Sequence, residues 1–123
     1  MLCVLFVSVR AQSNVLSATI SVDPVTVTLG NSVHITGTVT NEGSRALTLF
    51  RVRIYAYQQS CASSDLIVAD NVAIDAGQTI SFATDYIPPA PCVGDWDAVI
   101  TVQPKAKVSL NNFLAVEAEF AVL

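Results

Sequence analysis

Apolar and polar residues alternate along most of this chain, and the alternation has period two. In TISVDPVTVTLG, Ile20 and Val22 alternate with Thr19 and Ser21. After Asp23-Pro24, Val25, Val27 and Leu29 alternate with Thr26 and Thr28. A period of two sends successive side chains to opposite faces of a strand, so each segment predicts a strand with one buried and one wet face. In SVHITGTVTN, Val33, Ile35 and Val39 share one face, and His34, Thr36, Thr38 and Thr40 share the other. Gly30-Asn31 and Asn41-Glu42-Gly43-Ser44 are turn signals on either side.

LTLFRVRIYAYQQ is the longest strand candidate. Phe50, Val52, Ile54 and Ala56 are expected inward, and Arg51, Arg53, Tyr55 and Tyr57 outward. Leu47 and Leu49 are out of phase with Phe50, which predicts a bulge or a strand start at Leu49–Phe50. QQSCASSD is expected as a loop and LIVADNVAI as one or two short strands. Asp75-Ala76-Gly77 turns the chain into QTISFATDYI, with Ile80 and Phe82 inward. IPPAPCVGD, with three prolines, is a rigid connection. DWDAVITVQ faces Trp96, Ala98, Ile100 and Val102 inward. After a longer loop, PKAKVSLNNF, the last strand sets Leu114, Val116, Ala118, Phe120 and Val122 against Glu117 and Glu119. No segment has a helical period. Seven to nine strands with turns about every 8–12 residues predict an all-β domain built as a two-sheet sandwich.

Composition narrows the partners. At 123 residues the chain makes one domain with a real core. Charged residues are 13% of it, against roughly 25% in an ordinary soluble domain. No apolar run reaches the ~18 residues of a membrane span, so the low charge predicts a Thr/Ser-rich surface. Such a surface is poor at keeping molecules apart; other copies cover it, or glycans do, or its hydroxyls suffice. None of the asparagines starts an Asn-x-Ser/Thr sequon. With a net charge of −4 and six basic residues, the chain lacks the basic footprint of a nucleic-acid binder.

The cysteines are Cys3, Cys61 and Cys92, with no Cys-x-x-Cys and one histidine, His34. A zinc site is not expected, and no cofactor is expected. Two readings stand: a Cys61–Cys92 disulfide with Cys3 left over, which suits an exported domain, or three free thiols in a reducing compartment.

GNSVHITGTVTNEGSRALTLFRVRIYAY, then AGQTISFATDYIPP, then VGDWDAVITV, resemble the immunoglobulin-like domains of the bacterial and archaeal cell-adhesion-related type. The matching residues are Gly30, Val39, Asn41, Gly43, Ala76, Gly77, Gln78, Thr79, Gly94 and Trp96, over roughly Ser17 to Gln103. These are turn and core positions, so the resemblance implies an immunoglobulin-like sandwich and a surface-protein setting rather than a site. The Cys61/Cys92 pair and the long last loop depart from it.

Several constellations bear on chemistry. His34 lies on an outward face without a nucleophile motif, so it is expected to be structural and no enzyme is expected. Asp95 and Asp97 share one side of their strand, as do Glu117 and Glu119. If the two strands are neighbours, four carboxylates gather; a solvated acidic face is expected rather than a calcium site. Arg51, Arg53, Tyr55 and Tyr57 form a stripe that suits a sugar or protein partner, or pairs with that acidic face across the sheet. Trp96 has the parity of the core.

The first residues, MLCVLFVSVRAQ, fit either an export signal cut before Gln12 or a retained strand. The expected division is an apolar segment over 1–16 and a sandwich domain over 17–123. If retained, Val4, Phe6, Val7 and Val9 could complete a neighbour's sheet. Two functions follow, both secreted or at the cell surface. One is the subunit of a homopolymeric filament or lattice assembled by strand donation. The other is a monomeric adhesion or accessory module that binds a cell-surface glycan or protein.

Overall fold

The computed structural model describes residues 7–12, 15–90, 92–104 and 114–123. Val4 and Phe6, two of the four residues expected in a donated strand, lie outside the described residues, as do Cys3 and most of the expected last loop. The strands are β1 (Val7–Gln12), β2 (Leu16–Asp23), β3 (Thr26–Val27), β4 (Val33–Asn41), β5 (Leu47–Gln58), β6 (Ala62–Ile74), β7 (Thr79–Tyr86), β8 (Gly94–Pro104) and β9 (Leu114–Val122). They form a four-stranded sheet, β1-β2-β4-β7, and a five-stranded sheet, β3-β9-β8-β5-β6. All pairings are antiparallel except the short β3–β9 contact.

The inward faces meet as the alternation requires. Ala18, Ile20 and Val22 of β2 and Val33, Ile35 and Val39 of β4 lie against Val52, Ile54 and Ala56 of β5, Trp96, Ala98 and Ile100 of β8, and Val116 and Phe120 of β9. Burying one such Val, Leu, Ile or Phe side chain contributes about 1.5–3 kcal/mol. Trp96 stacks on Phe120 at 6.0 Å between ring centroids and meets Tyr86 edge-on at 5.8 Å. Its indole N–H donates to the Cys92 carbonyl at 2.9 Å, so the one polar atom of the ring is satisfied inside the core. Gly37 occupies an inward position of β4 because a Cβ there would lie 2.8 Å from Ile100 Cδ1 and 2.9 Å from Ile54 Cδ1.

The turn residues of the resemblance have structural work. Asn41 is fully buried, and its amide donates to the carbonyls of Arg45 (2.7 Å) and Ile74 (3.3 Å). Its Oδ1 accepts from the Gly43 amide at 3.0 Å, and its own carbonyl accepts from Gly77 N at 2.7 Å. One side chain thus fastens the β4–β5 and β6–β7 turns together. Gly77 has φ 76°, a conformation that favours glycine.

Two expectations need correction. Phe50 is exposed and Leu49 is buried. The register of β5 against β8 slips between Leu49 and Arg51, at the expected bulge. The extra residue reverses the parity, so Leu49 takes the inward place assigned to Phe50. LIVADNVAI is not one or two short strands: β6 is a single strand of 13 residues that takes in the end of the expected QQSCASSD loop. Its register slips opposite Ile54/Tyr55, and Asn71 has φ 54°, which is why its alternation is hard to read. The division at 16/17 cuts through β2, where Leu16 is already fully buried.

Cys61 and Cys92 are disulfide-bonded, with Cα atoms 5.9 Å apart. The bond ties the β5–β6 turn to the segment that crosses between sheets before β8. Gln58 holds the same place, its side-chain amide donating to the Val93 carbonyl at 2.9 Å. Val7–Gln12, the described part of the N-terminal apolar segment, pairs with the chain's own β2 from Val7↔Val22 to Gln12↔Ser17.

Candidate binding face

β5 lies between β6 and β8 in the five-stranded sheet. The four stripe residues Arg51, Arg53, Tyr55 and Tyr57 alternate with buried Val52, Ile54 and Ala56, and so project from its outer face. Arg51 and Arg53 are paired, but not with the expected carboxylates. The acidic partners are Asp70 and Asp65 on β6: Arg51 Nε donates to Asp70 Oδ1 at 2.7 Å, and Arg53 Nε to Asp65 Oδ1 at 2.5 Å. The bond and charge of Asp70 raise the pKa of Arg51 further above its already high value. The Arg53 guanidinium also lies over the Tyr55 ring, 4.2 Å from its centroid, so one face of that ring is taken.

These contacts hold the cations side by side with part of their five-donor fork still to offer. On the other side of β5, the outward residues of β8 and β9 are small or polar. Together Arg51, Arg53, Tyr55, Val99, Thr101, Gln103, Ala115 and Glu117 line a shallow groove of about 280 Å³. Val99, buried although it faces outward, forms the apolar floor with Ala115. Tyr57 is exposed and stands opposite Asp97, outside the groove.

The acidic residues do share a face, since β8 and β9 are neighbours with Asp97 opposite Glu119 and Val99 opposite Glu117. Desolvation, then the charges of Glu117 and Asp95, hold the Asp97 carboxyl above the usual range. Among the described residues, no three His, Cys, Asp or Glu side chains converge as a metal site. His34 lies on the other sheet, where its Nδ1 is 2.7 Å from Asp85 Oδ1.

The cationic wall and the outward place of Glu117 were legible in the sequence, but the groove that joins them was not. The alternation already marked Val99, Thr101 and Gln103 as outward residues. Their place beside the stripe depends on β5 pairing with β8, which no local pattern states. Asp65 and Asp70 were hidden in a segment whose two irregularities break the period.

The family model described as CARDB matches residues 13–112. Among solved structures, the fold resembles the CARDB domain of a Pyrococcus furiosus protein crystallised in complex with di-metal ions. The two are 17% identical with a TM-score of 0.69, over 88% of this chain and 87% of that one. It also resembles a portion of two β-glucosidases, each 15% identical. The one from Listeria innocua has a TM-score of 0.54, over 97% of this chain and 16% of the enzyme. The one from Erythrobacter marinus has a TM-score of 0.55, over 98% and 16%. At these identities the likeness concerns the fold. A search of the curated proteins found no match.

Proposed function

Because the chain belongs to the CARDB family, an adhesion-related family associated with extracellular or cell-surface proteins, we propose that it is a non-catalytic binding module that holds a carbohydrate in the groove of its five-stranded sheet. The observation that carries this reading is the composition of the groove. The guanidinium groups of Arg51 and Arg53 donate, Glu117 accepts, and Thr101 and Gln103 can do both. Sugar hydroxyls are donors and acceptors at once, so a wall of donors facing an acceptor suits them. The floor of Val99 and Ala115 suits the C–H face of a sugar ring. With Arg53 over its ring, Tyr55 acts as a wall rather than an open stacking platform. At about 280 Å³ the groove falls just short of typical small-molecule sites, which run ~300–1,000 Å³. It suits one or two residues of a longer saccharide.

The Pyrococcus furiosus relative is described in complex with di-metal ions; the groove here is read without one, on its Arg, Gln, Thr and Glu side chains. Retention on a glycan array tests the proposal. The wild type should be retained, and Arg53→Gln and Tyr55→Ala should lose retention while staying folded, with a stability loss of no more than about 1 kcal/mol. A wild type that no glycan retains would sink it.

A second reading, the homopolymer joined by a donated N-terminal strand, has one observation in its favour. Among the described residues β1 is an edge strand paired with β2 alone, so another copy's β1 could replace it through the same hydrogen bonds. Light scattering should then find large species for the whole chain and a monomer after residues 1–12 are removed. Fibres that persist after the removal would rule out donation by this segment.

A further inference from the structure

We propose that β7 is a pairing edge for a second copy of this chain, two β7 strands meeting antiparallel so that two four-stranded sheets join into one of eight. Among the described residues the sheet edges are β1, β7, β3 and β6. β3 is two residues long. β6 is interrupted by a register slip and by Asn71 at φ 54°, and it carries Asp65 and Asp70. Bulges, short edges and charges are the devices that keep sheet edges from pairing with other chains. β7 is eight residues long without a bulge, and its single charge, Asp85, lies near one end. It runs in unbroken register with β4 from Val33↔Tyr86 to Thr40↔Thr79, without proline or a positive φ. No strand among the described residues pairs with its other side.

Its side chains make a second copy the fitting occupant. From Thr79 to Thr84 it is uncharged, with Thr79, Ser81 and Ala83 exposed on the outer face and Ile80 and Phe82 half-buried on the inner one. The outer face of this sheet already joins neighbouring strands hydroxyl to hydroxyl, as at Thr40–Thr79 (2.8 Å). A second β7 repeats that chemistry across the junction, while Ile80 and Phe82 of each copy approach their counterparts. The one charge, Asp85, sits near one end and is engaged by His34. Antiparallel two-fold pairing sets the two Asp85 residues at opposite ends; parallel pairing would place them side by side, which is destabilising. The contact is isologous and closes at two copies. It leaves the groove on the other sheet open and does not depend on the N-terminal strand. Strand pairing alone buries less than the ~1,000 Å² of a stable interface, so the dimer forms only at high concentration.

Sedimentation velocity on the whole chain, from about 10 μM to about 1 mM, tests this. The wild type should shift from monomer to dimer across the range. Ala83→Lys, and independently Ser81→Lys, should weaken dimerisation at least about tenfold, as lysine on an edge does, with the melting temperature unchanged. Val68→Lys, on the exposed face of β6, should leave the dimer intact. Hydrogen exchange should show amides of 79–86 gaining protection as concentration rises. A wild type that stays monomeric throughout overturns the proposal, and so does a dimer indifferent to Ala83→Lys and Ser81→Lys.

Discussion

On the four-stranded sheet, the outward residues of β2 and β4 include Thr19, Ser21, Thr36, Thr38 and Thr40, and hydroxyls meet across the strands, as at Thr19–Thr38 (2.5 Å). On the five-stranded sheet the corresponding outward places hold Arg51, Arg53, Tyr55, Asp97, Glu117 and Glu119. Beneath both lies the same Val/Ile core. The low charge of the sequence is therefore not spread evenly. One face is solvated by neutral hydroxyls, which need little from a partner. The other concentrates ion pairs, an acidic side and a groove. Most of the charges carried on the strands lie on the five-stranded sheet.

Breaking the shared core should abolish both faces together. Trp96→Ala removes the ring that touches Tyr86 and Phe120 and the donor to Cys92. It should cost about 3–5 kcal/mol, read as the loss in a urea or thermal melt. Replacing Cys61 and Cys92 by alanine opens a loop with a sequence separation of 31 and should cost roughly 3 kcal/mol. Because the bond anchors the β5–β6 turn, hydrogen exchange should rise there before it rises in β2 and β4, separating the two sheets. An equal rise in both would contradict that assignment.

The surface substitutions are smaller and divide the faces. Arg53→Gln removes a half-exposed ion pair worth about 0.2–1 kcal/mol, yet should remove glycan retention. Thr38→Val on the hydroxyl face should cost under about 1.5 kcal/mol and leave retention unchanged. The smallest effect belongs to Asp97. Its raised pKa in the folded state means its contribution to stability is full below the ordinary carboxylate range and is lost as pH rises through the raised value. Asp97→Asn should stabilise the protein at neutral pH by a few tenths of a kcal/mol and flatten the melting temperature between mildly acid and neutral pH. A destabilised variant at neutral pH would contradict a carboxyl held up by desolvation and then by the charges of Glu117 and Asp95.

The inward residues of β2, β4, β8 and β9 were legible because each strand keeps one parity from end to end. Phe50 was misplaced because a bulge changes parity at one residue, and sequence shows the slip without showing which of Leu49 and Phe50 turns inward. β6 was underestimated because two irregularities in 13 residues erase its period. The stripe on β5 could be read from alternation alone. The groove could not, because its floor and far wall come from β8 and β9, about fifty and sixty residues further on. Pairing across that separation rests on the whole core rather than on any local signal.

In the proposed function, binding belongs to the charged outer face and not to the hydroxyl one. A backbone-amide NMR titration with an oligosaccharide that the protein retains addresses it directly. Shift changes are expected at Arg51, Arg53, Tyr55, Thr101 and Glu117, with Thr19, Thr36 and Thr38 unmoved. Changes centred on those threonines, with the groove silent, would contradict it.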